Sequence, residues 1–345
     1  MRPLTLGRLL LRCGVLLAIL LMVSLVALKL GAVQVSLYGL ARDLLHVLLG
    51  QKTDVSTDYN LIIWDIRLPR IFLGIIVGAS LAVAGASFQA LLRNPLADPY
   101  VLGVSSGASV GAILSLFIES QLAIPTQYAG LITPFGAFLG AAITVAGVYF
   151  LGRRRGRVDS GTLLLAGIIT ASFLSAIIMF LLTTSAGSSM HGIVYWLMGD
   201  LSTPQPRSLL AVLLFGFIIA AGAIYTTSSD LNLLLAGEKE AMHLGVDVRR
   251  VRIVVYIAAS LLTGLAVSVS GAIGYIGLLV PHVMRLFFGS DHRMLLPASA
   301  IGGAIALVVA DTLARTIGHS ELPVGAMTAM AGAPLFIYLL RRQFT

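Results

Sequence analysis

Apolar residues in this chain come in long blocks separated by short, arginine-rich intervals. They follow neither the alternation of a half-buried strand nor the stripe of a surface helix. A helix needs about 20 mainly apolar residues to cross the hydrocarbon core of a bilayer. Ten blocks approach that length, near 13–33, 71–92, 101–118, 131–151, 162–182, 209–226, 253–270, 274–288, 295–314 and 323–340. The clearest runs from Ile71 to Leu92 without a charge; the weakest, 274–288, is short and interrupted by Gly277 and Pro281. The first block is long, reaches Lys29 near its end and has no clean small-x-small site after it, so it reads as a span rather than a cleaved signal peptide. Backbone in lipid must satisfy its hydrogen bonds within the segment. The pattern predicts an all-α integral membrane protein with ten transmembrane helices in a single domain over residues 1–345.

Composition excludes the soluble classes. Hydrophobic residues make up 58% of the 345 residues and charged residues 11%, with a mean hydropathy of +0.97, against about 45–50% and about 25% in soluble domains. Too few charges remain to cover a globular surface. Cys13 stands alone and cannot form an internal bridge, while the 36 glycines suit a bundle in which small residues let helices approach closely. The net charge of +8 is mostly arginine in short loops, with no aromatic-rich basic face, so nucleic acid is not an expected partner.

Ten spans put both termini on one face. If that face is cytoplasmic, sixteen of the 23 basic residues lie in inside segments, whereas the 15 acids divide almost evenly. The positive-inside rule therefore predicts cytoplasmic termini. A faint internal repeat joins Leu81–Pro95 to Leu265–Pro281: both read Leu-Ala-Val, then small residues, a leucine-rich stretch and proline. The two would run in opposite directions, as in an inverted repeat; the alternative is chance similarity among Gly/Ala-rich helices.

Several segments are not simple spans. Residues 230–252 form the longest polar interruption on the inside and parse as two short helices, Leu231–Leu235 and Glu238–Leu244, broken at Gly237. Glu238 and Glu240 in the first turn, His243 in the last and Gly245 after it are the residue types that helix ends favour. Such a pair suits a docking surface; the alternative is an interfacial helix on lipid. On the outside, Arg67 and Arg70 share a face ahead of the second span, with Trp64 nearby and Pro69 suited to a helix start. Residue type alone favours anchoring at the lipid interface. Asp311 lies in the ninth span, and intramembrane acids are functional candidates. Arg315, four residues on, offers local neutralisation, which the spacing favours over a proton relay. The fifth span carries a hydroxyl stripe, Thr170, Ser172, Ser175 and Thr183–Ser185, either self-satisfied or the wall of a polar pathway. Met190–Asp200 reads as a short outside helix.

No enzyme motif is present. The three lysines, Lys29, Lys52 and Lys239, do not follow glycine, so there is no phosphate-binding loop. Zinc-ligand spacings and a nucleophile elbow are also missing from the sequence. ATP-driven movement of a solute would need a second subunit to hydrolyse the nucleotide. The reading left beside it is a proton-coupled secondary transporter using Asp311.

Taken together, these motifs resemble the permease subunits of ATP-driven importers for iron chelates, haem and cobalamin, the FecCD type. The resemblance runs from Arg67 to Arg342. It rests on Arg67-Leu-Pro-Arg70, Gly85-Ala-Ser-Phe-Gln-Ala-Leu-Leu-Arg-Asn-Pro-Leu-Ala-Asp-Pro99, Leu102-Gly-Val-Ser-Ser-Gly107, Leu163-Leu-Leu-Ala-Gly167 and Tyr195-Trp-Leu-Met-Gly199. It continues through Gly271-Ala-Ile-Gly-Tyr-Ile-Gly-Leu-Leu-Val-Pro-His282, Asp291-His-Arg293, Leu296-Pro297, Ala310-Asp311, Glu321-Leu-Pro-Val-Gly325 and Gly332-Ala-Pro334.

The resemblance implies a transport subunit, not an enzyme, in the bacterial cytoplasmic (inner) membrane. It implies a homodimer or pseudo-dimer of ten-helix subunits with the pathway on the dimer axis. Two ATPase subunits would dock at the cytoplasmic face, holding ATP and Mg, and one periplasmic or lipid-anchored binding protein above; no cofactor would bind the chain itself. Leu235, Ala236, Gly237, Glu238, Ala241 and Gly245 would be the coupling helices in a cleft of the ATPase. Arg67, Arg70 and Arg315 would pair with acids of the binding protein. Asn94, Leu96, Ser160 and Gly161 would lie at the cytoplasmic gate, Gly161 departing from the hydroxyl found there in the cobalamin permease. Thr170, Ser172, Ser175 and Thr184 would line the pathway. The implied mechanism is alternating access, and the expected cargo is a ferric siderophore, with haem and cobalamin as the other family cargoes.

Overall fold

The computed structural model describes residues 5–31, 62–121, 126–154, 157–158, 160–184, 189–317 and 321–343. In chain order the α-helices are α1 Leu6–Lys29, α2 Leu68–Leu91, α3 Val104–Gln121, α4 Thr126–Gly152, α5 Ser160–Thr184, α6 Ser189–Met198 and α7 Arg207–Thr226. They continue as α8 Ser228–Leu235, α9 Glu238–His243, α10 Val248–Ser270, α11 Ile276–Phe288, α12 His292–Thr316 and α13 Val324–Gln343. The described strand content is one antiparallel pair of two-residue strands, with Arg153 opposite Val158 and Arg154 opposite Arg157.

Each of the ten apolar blocks coincides with a helix. Among the described residues seven helices are long and apolar enough to cross a membrane, and three shorter apolar helices cover Val104–Glu119, Ile276–Phe288 and Val324–Tyr338. The chain is therefore an integral membrane protein. The second block begins earlier than its apolar run suggests: a π-helical turn, Ile62–Arg67, leads directly into α2. Pro69 sits at the second position of α2. A proline there removes an N–H and crowds the carbonyl four residues back, and a wide π turn relieves that crowding.

α2, α10 and α12 form the centre. α2 runs antiparallel to α12, since Arg70 meets Asp311 at one end and Gly78 meets Gly303 further along. A side chain at Gly78 would overlap the Gly303 carbonyl, so these glycines set how closely the two backbones pack. α3 and α4 pair in the same way through Gly107–Gly140 and Gly111–Gly136. α1 lies against α12, with Leu16 packed beside Met294 and Ala298.

The path from α10 to α11 is unwound. α10 stops at Ser270, Gly271 turns at φ +63°, and Tyr275 adopts φ +69° before α11 begins. Irregular backbone is tolerated within a membrane protein only where other groups satisfy it. The Tyr100 hydroxyl does this at Ile273, accepting from its N–H at 3.0 Å and donating to its carbonyl at 2.9 Å. Within α11, Pro281 offers no N–H to the Gly277 carbonyl. Gln89 of α2 replaces it, its Nε2 lying 3.5 Å from that carbonyl and 3.2 Å from that of Leu278, while Arg285 donates to Gln89 Oε1 at 2.9 Å. The two similar sequence segments thus diverge in structure. After Leu81-Ala-Val the helix continues to Leu91, whereas after Leu265-Ala-Val it ends at Ser270.

Candidate functional site

Two clusters of charged and polar side chains sit at opposite ends of the α2–α12 pair. The first surrounds the α8–α9 hairpin. Its predicted helices are present, with Gly237 (φ +132°) between them and Gly245 (φ +86°) after α9. Leu235, Ala236 and Gly245 are exposed, and Gly237 and Glu238 are half-buried. Ala241 is fully buried inside the chain, so it supports the hairpin rather than forming its outer surface. Met242 and Leu244, which the sequence reading passed over, are exposed and join Leu235 as large apolar side chains on this hairpin. The available signal was two large apolar residues flanking His243 in an otherwise polar segment.

Glu238 turns back toward the bundle. Its carboxylate pairs with Arg93, in the loop after α2, at 3.1 Å, and also with Arg252 near the start of α10. Asn232 of α8 donates to Asp291 Oδ1 at 2.8 Å and accepts the His292 N–H at 2.8 Å. Asp291 is the N-cap of α12 and accepts the Arg293 N–H. The Arg293 side chain beside it, then the Asn232 and backbone donors, hold its carboxyl down at about 2.

The predicted gate residues lie close to this end. Asn94 is half-buried and its side chain accepts the Leu96 N–H at 3.0 Å, closing a tight turn that leaves Leu96 exposed. Asp98 caps the 3-10 turn Pro99–Leu102 through the Tyr100 N–H at 2.8 Å, and burial pushes its carboxyl up to about 6. Ser160 opens α5 and Gly161 is exposed behind it. Gly167, two turns on, packs against Val101 and Leu102, so α5 begins beside the turn that follows the Asn94 loop.

Of the predicted pathway residues, Thr170 is half-buried while Ser172, Ser175 and Thr184 are exposed on the single chain. Ser172 donates to the Ile168 carbonyl at 3.0 Å, and Thr184 to those of Phe180 and Leu181. The Ser172 and Thr184 hydroxyls are thus satisfied by their own helix. Leu165, Ile169, Phe173 and Phe180 on α5 are exposed as well.

The second cluster joins four elements. Arg70 pairs with Asp311 at 2.9 Å and with Glu321 at 2.8 Å; Arg315 pairs with Asp311 at 3.2 Å. The side chains of Arg70, Asp311 and Arg315 are 8%, 3% and 7% exposed, and Glu321 is the open edge at 53%. Arg67, also buried, donates to the Leu28 carbonyl at 2.6 Å, and Arg315 to that of Ala27 at 3.4 Å. Those carbonyls belong to the last turn of α1, which lacks partners of its own and favours cations. The three arginines expected at an outer docking face are thus turned inward, where they cap α1 and neutralise Asp311. The local Asp311–Arg315 pair is present as the spacing predicts; Arg70 and Glu321 join it from distant sequence. Among the described residues no group of three metal-ligating side chains occurs.

Comparison with known proteins gives a consistent picture. The profile of the FecCD transport family matches residues 16–342. The chain is 45% identical over 287 residues to the uncharacterised ABC transporter permease protein YvrB of Bacillus subtilis, covering 83% of this chain and 80% of that one. It is 44% identical over 282 residues to the cobalamin import system permease protein BtuC of Halobacterium salinarum (82% and 74%). With the hemin transport system permease protein HmuU of Yersinia pestis it shares 40% over 290 residues (81% and 84%). A solved structure described as an inward-facing metal-chelate type ABC transporter superposes with a TM-score of 0.78 at 29% identity, covering 95% of this chain and 98% of that one.

Proposed function

Since the chain belongs to the FecCD transport family, whose members are transport permeases and not enzymes, we propose that it carries a metal chelate through the bacterial inner membrane as the permease of an ATP-driven importer. The family match over residues 16–342 carries this reading. Ferric siderophore is the cargo proposed first. Haem and cobalamin follow, because relatives named for those cargoes share 40% and 44% identity with the chain.

In this proposal all ten apolar helices cross, the halves are inverted repeats, and both termini are cytoplasmic. A second copy covers the open face of α5, so that Thr170, Ser172, Ser175 and Thr184 border the path between subunits. Two ATPase subunits, binding ATP and Mg, meet the α8–α9 hairpin through Leu235, Met242 and Leu244 beside Ala236, Gly237 and Gly245. The exposure of those apolar side chains supports this contact. Asn94, Leu96, Ser160 and Gly161 border the cytoplasmic exit. A binding protein docks at the opposite end. Use of Arg67, Arg70 and Arg315 there requires the ion cluster to open, with a partner carboxylate replacing Glu321 at Arg70.

The test is uptake into proteoliposomes holding the chain, its neighbouring ATPase and its binding protein, with ferric siderophore, haem and cobalamin offered separately. Uptake of one of them that needs internal ATP and survives collapse of the proton gradient is expected. Uptake that persists without ATP and stops with an uncoupler would give the protein to the proton-driven class.

A further inference from the structure

We infer that Glu238 is a positioning residue that fastens the α8–α9 hairpin to the buried helices, so that hairpin motion reaches the centre of the bundle. This rests on the transport reading above and adds to it the route by which force enters. The hairpin is tied at two points. At one, Glu238 holds Arg93 after α2 and Arg252 near the start of α10. At the other, Asn232 holds the Asp291 cap and the first N–H of α12. The helices so gripped, α2, α10 and α12, are the most buried of the candidate spans, and α10 continues into the unwound stretch 271–275.

Three features argue that this arrangement transmits position rather than adds stability. Arg249, Arg250 and Arg252 crowd the start of α10, where a helix disfavours cations, and Glu238 offsets one of them from another element. Half-exposed ion pairs contribute little to stability, so this one is not needed to hold the fold. Gly237 sets the corner between the two helices: its φ of +132° is a backbone conformation that other residues rarely adopt. A charged first residue directly after that corner grips two helix ends at once, through charge-assisted hydrogen bonds. Glu238 thus faces into the chain, whereas the exposed Leu235, Met242 and Leu244 are left for the ATPase.

The experiment uses the complete transporter in proteoliposomes and reads cargo taken up per ATP hydrolysed, together with ATPase co-purification. Glu238→Arg should leave the ATPase bound and hydrolysing while uptake per ATP falls about tenfold, a typical size for a coupling between sites. Adding Arg93→Glu and Arg252→Glu to that variant should restore at least half of the lost coupling, because the pairs re-form with reversed sign. Glu238→Asp should stay near wild type. Unchanged uptake per ATP in Glu238→Arg overturns the inference. So does a loss that the charge swap does not rescue, or an ATPase that leaves the variant while staying on the wild type, since Glu238 would then be an outward contact. Failure of the ATPase to bind the wild-type chain refutes the transport reading instead.

Discussion

The two charged clusters use the same chemistry in opposite settings. At the Arg70 end, Asp311 is 3% exposed between two arginines that are 8% and 7% exposed. At the hairpin end, Glu238 is 32% exposed between Arg93 at 46% and Arg252 at 22%. Removing one partner of a buried pair strands a charge and costs about 3–5 kcal/mol, whereas exposed pairs are worth about 0–1 kcal/mol. One end is therefore a fixed staple joining α1, α2, α12 and the Glu321 segment. The other keeps the hairpin in step with α2 and α10 while adding little stability. A bundle that rocks needs both kinds of end.

The sharpest way to break the contrast is Asp311→Ala. It leaves Arg70 and Arg315 buried with their main counter-charge gone, and it should destabilise the chain by about 3–5 kcal/mol. Thermal unfolding in detergent and membrane yield would both show it. A normal melting temperature with uptake alone abolished would make Asp311 a working acid rather than a staple.

Next in size is Tyr100→Phe, which removes the one hydroxyl that serves both the N–H and the carbonyl of Ile273. Leaving buried backbone groups unpaired costs about 1–3 kcal/mol each. Hydrogen exchange should rise locally at 272–275, between the two ends, while the amides around Asp311 and Asp291 stay protected. Equal exchange throughout would mean that the unwound stretch is held by something other than this hydroxyl.

These effects also mark what the sequence could and could not disclose. The apolar blocks foretold a helix at each of their ten positions, because about 20 apolar residues in lipid have few other options. Gly237 and Gly245 bounded the hairpin helix, since their positive φ angles need glycine. The Asp311–Arg315 pair was legible from its i,i+4 spacing. Arg70, 241 residues from Asp311, was not, and so the outer arginines looked like surface groups. Glu238 and Glu240 suit local helix-end chemistry, which hides the partners of Glu238 after α2 and on α10. The break at Gly271 was blurred because a run of small and apolar residues hides where hydrogen bonding stops.

Arg93→Gln is expected to have a smaller effect on stability than either of the first two changes, about 0–1 kcal/mol. Because this pair is exposed, that loss should be smaller still at high salt, where the attraction is already screened in the wild type. Melting curves at low and high ionic strength check this. A loss as large as that of Asp311→Ala would erase the distinction between the two ends.

The smallest effect belongs to the Asn232–Asp291 tie, and acid removes it. Arg293 is the main reason that the Asp291 carboxyl falls from its ordinary 3.8 to about 2. A depressed carboxylate stabilises the fold above its unfolded value, and that contribution fades as pH drops through its folded value. The window is therefore between about pH 4 and about pH 2. Arg293→Gln removes the principal cause, so the variant should melt slightly below wild type at neutral pH, with the gap closing toward pH 2 as Asp291 takes up its proton in both proteins. A gap that stays constant from neutral pH down to 2 would separate the Arg293 effect from Asp291 ionisation and leave the Asn232 hydrogen bonds as the whole of this tie.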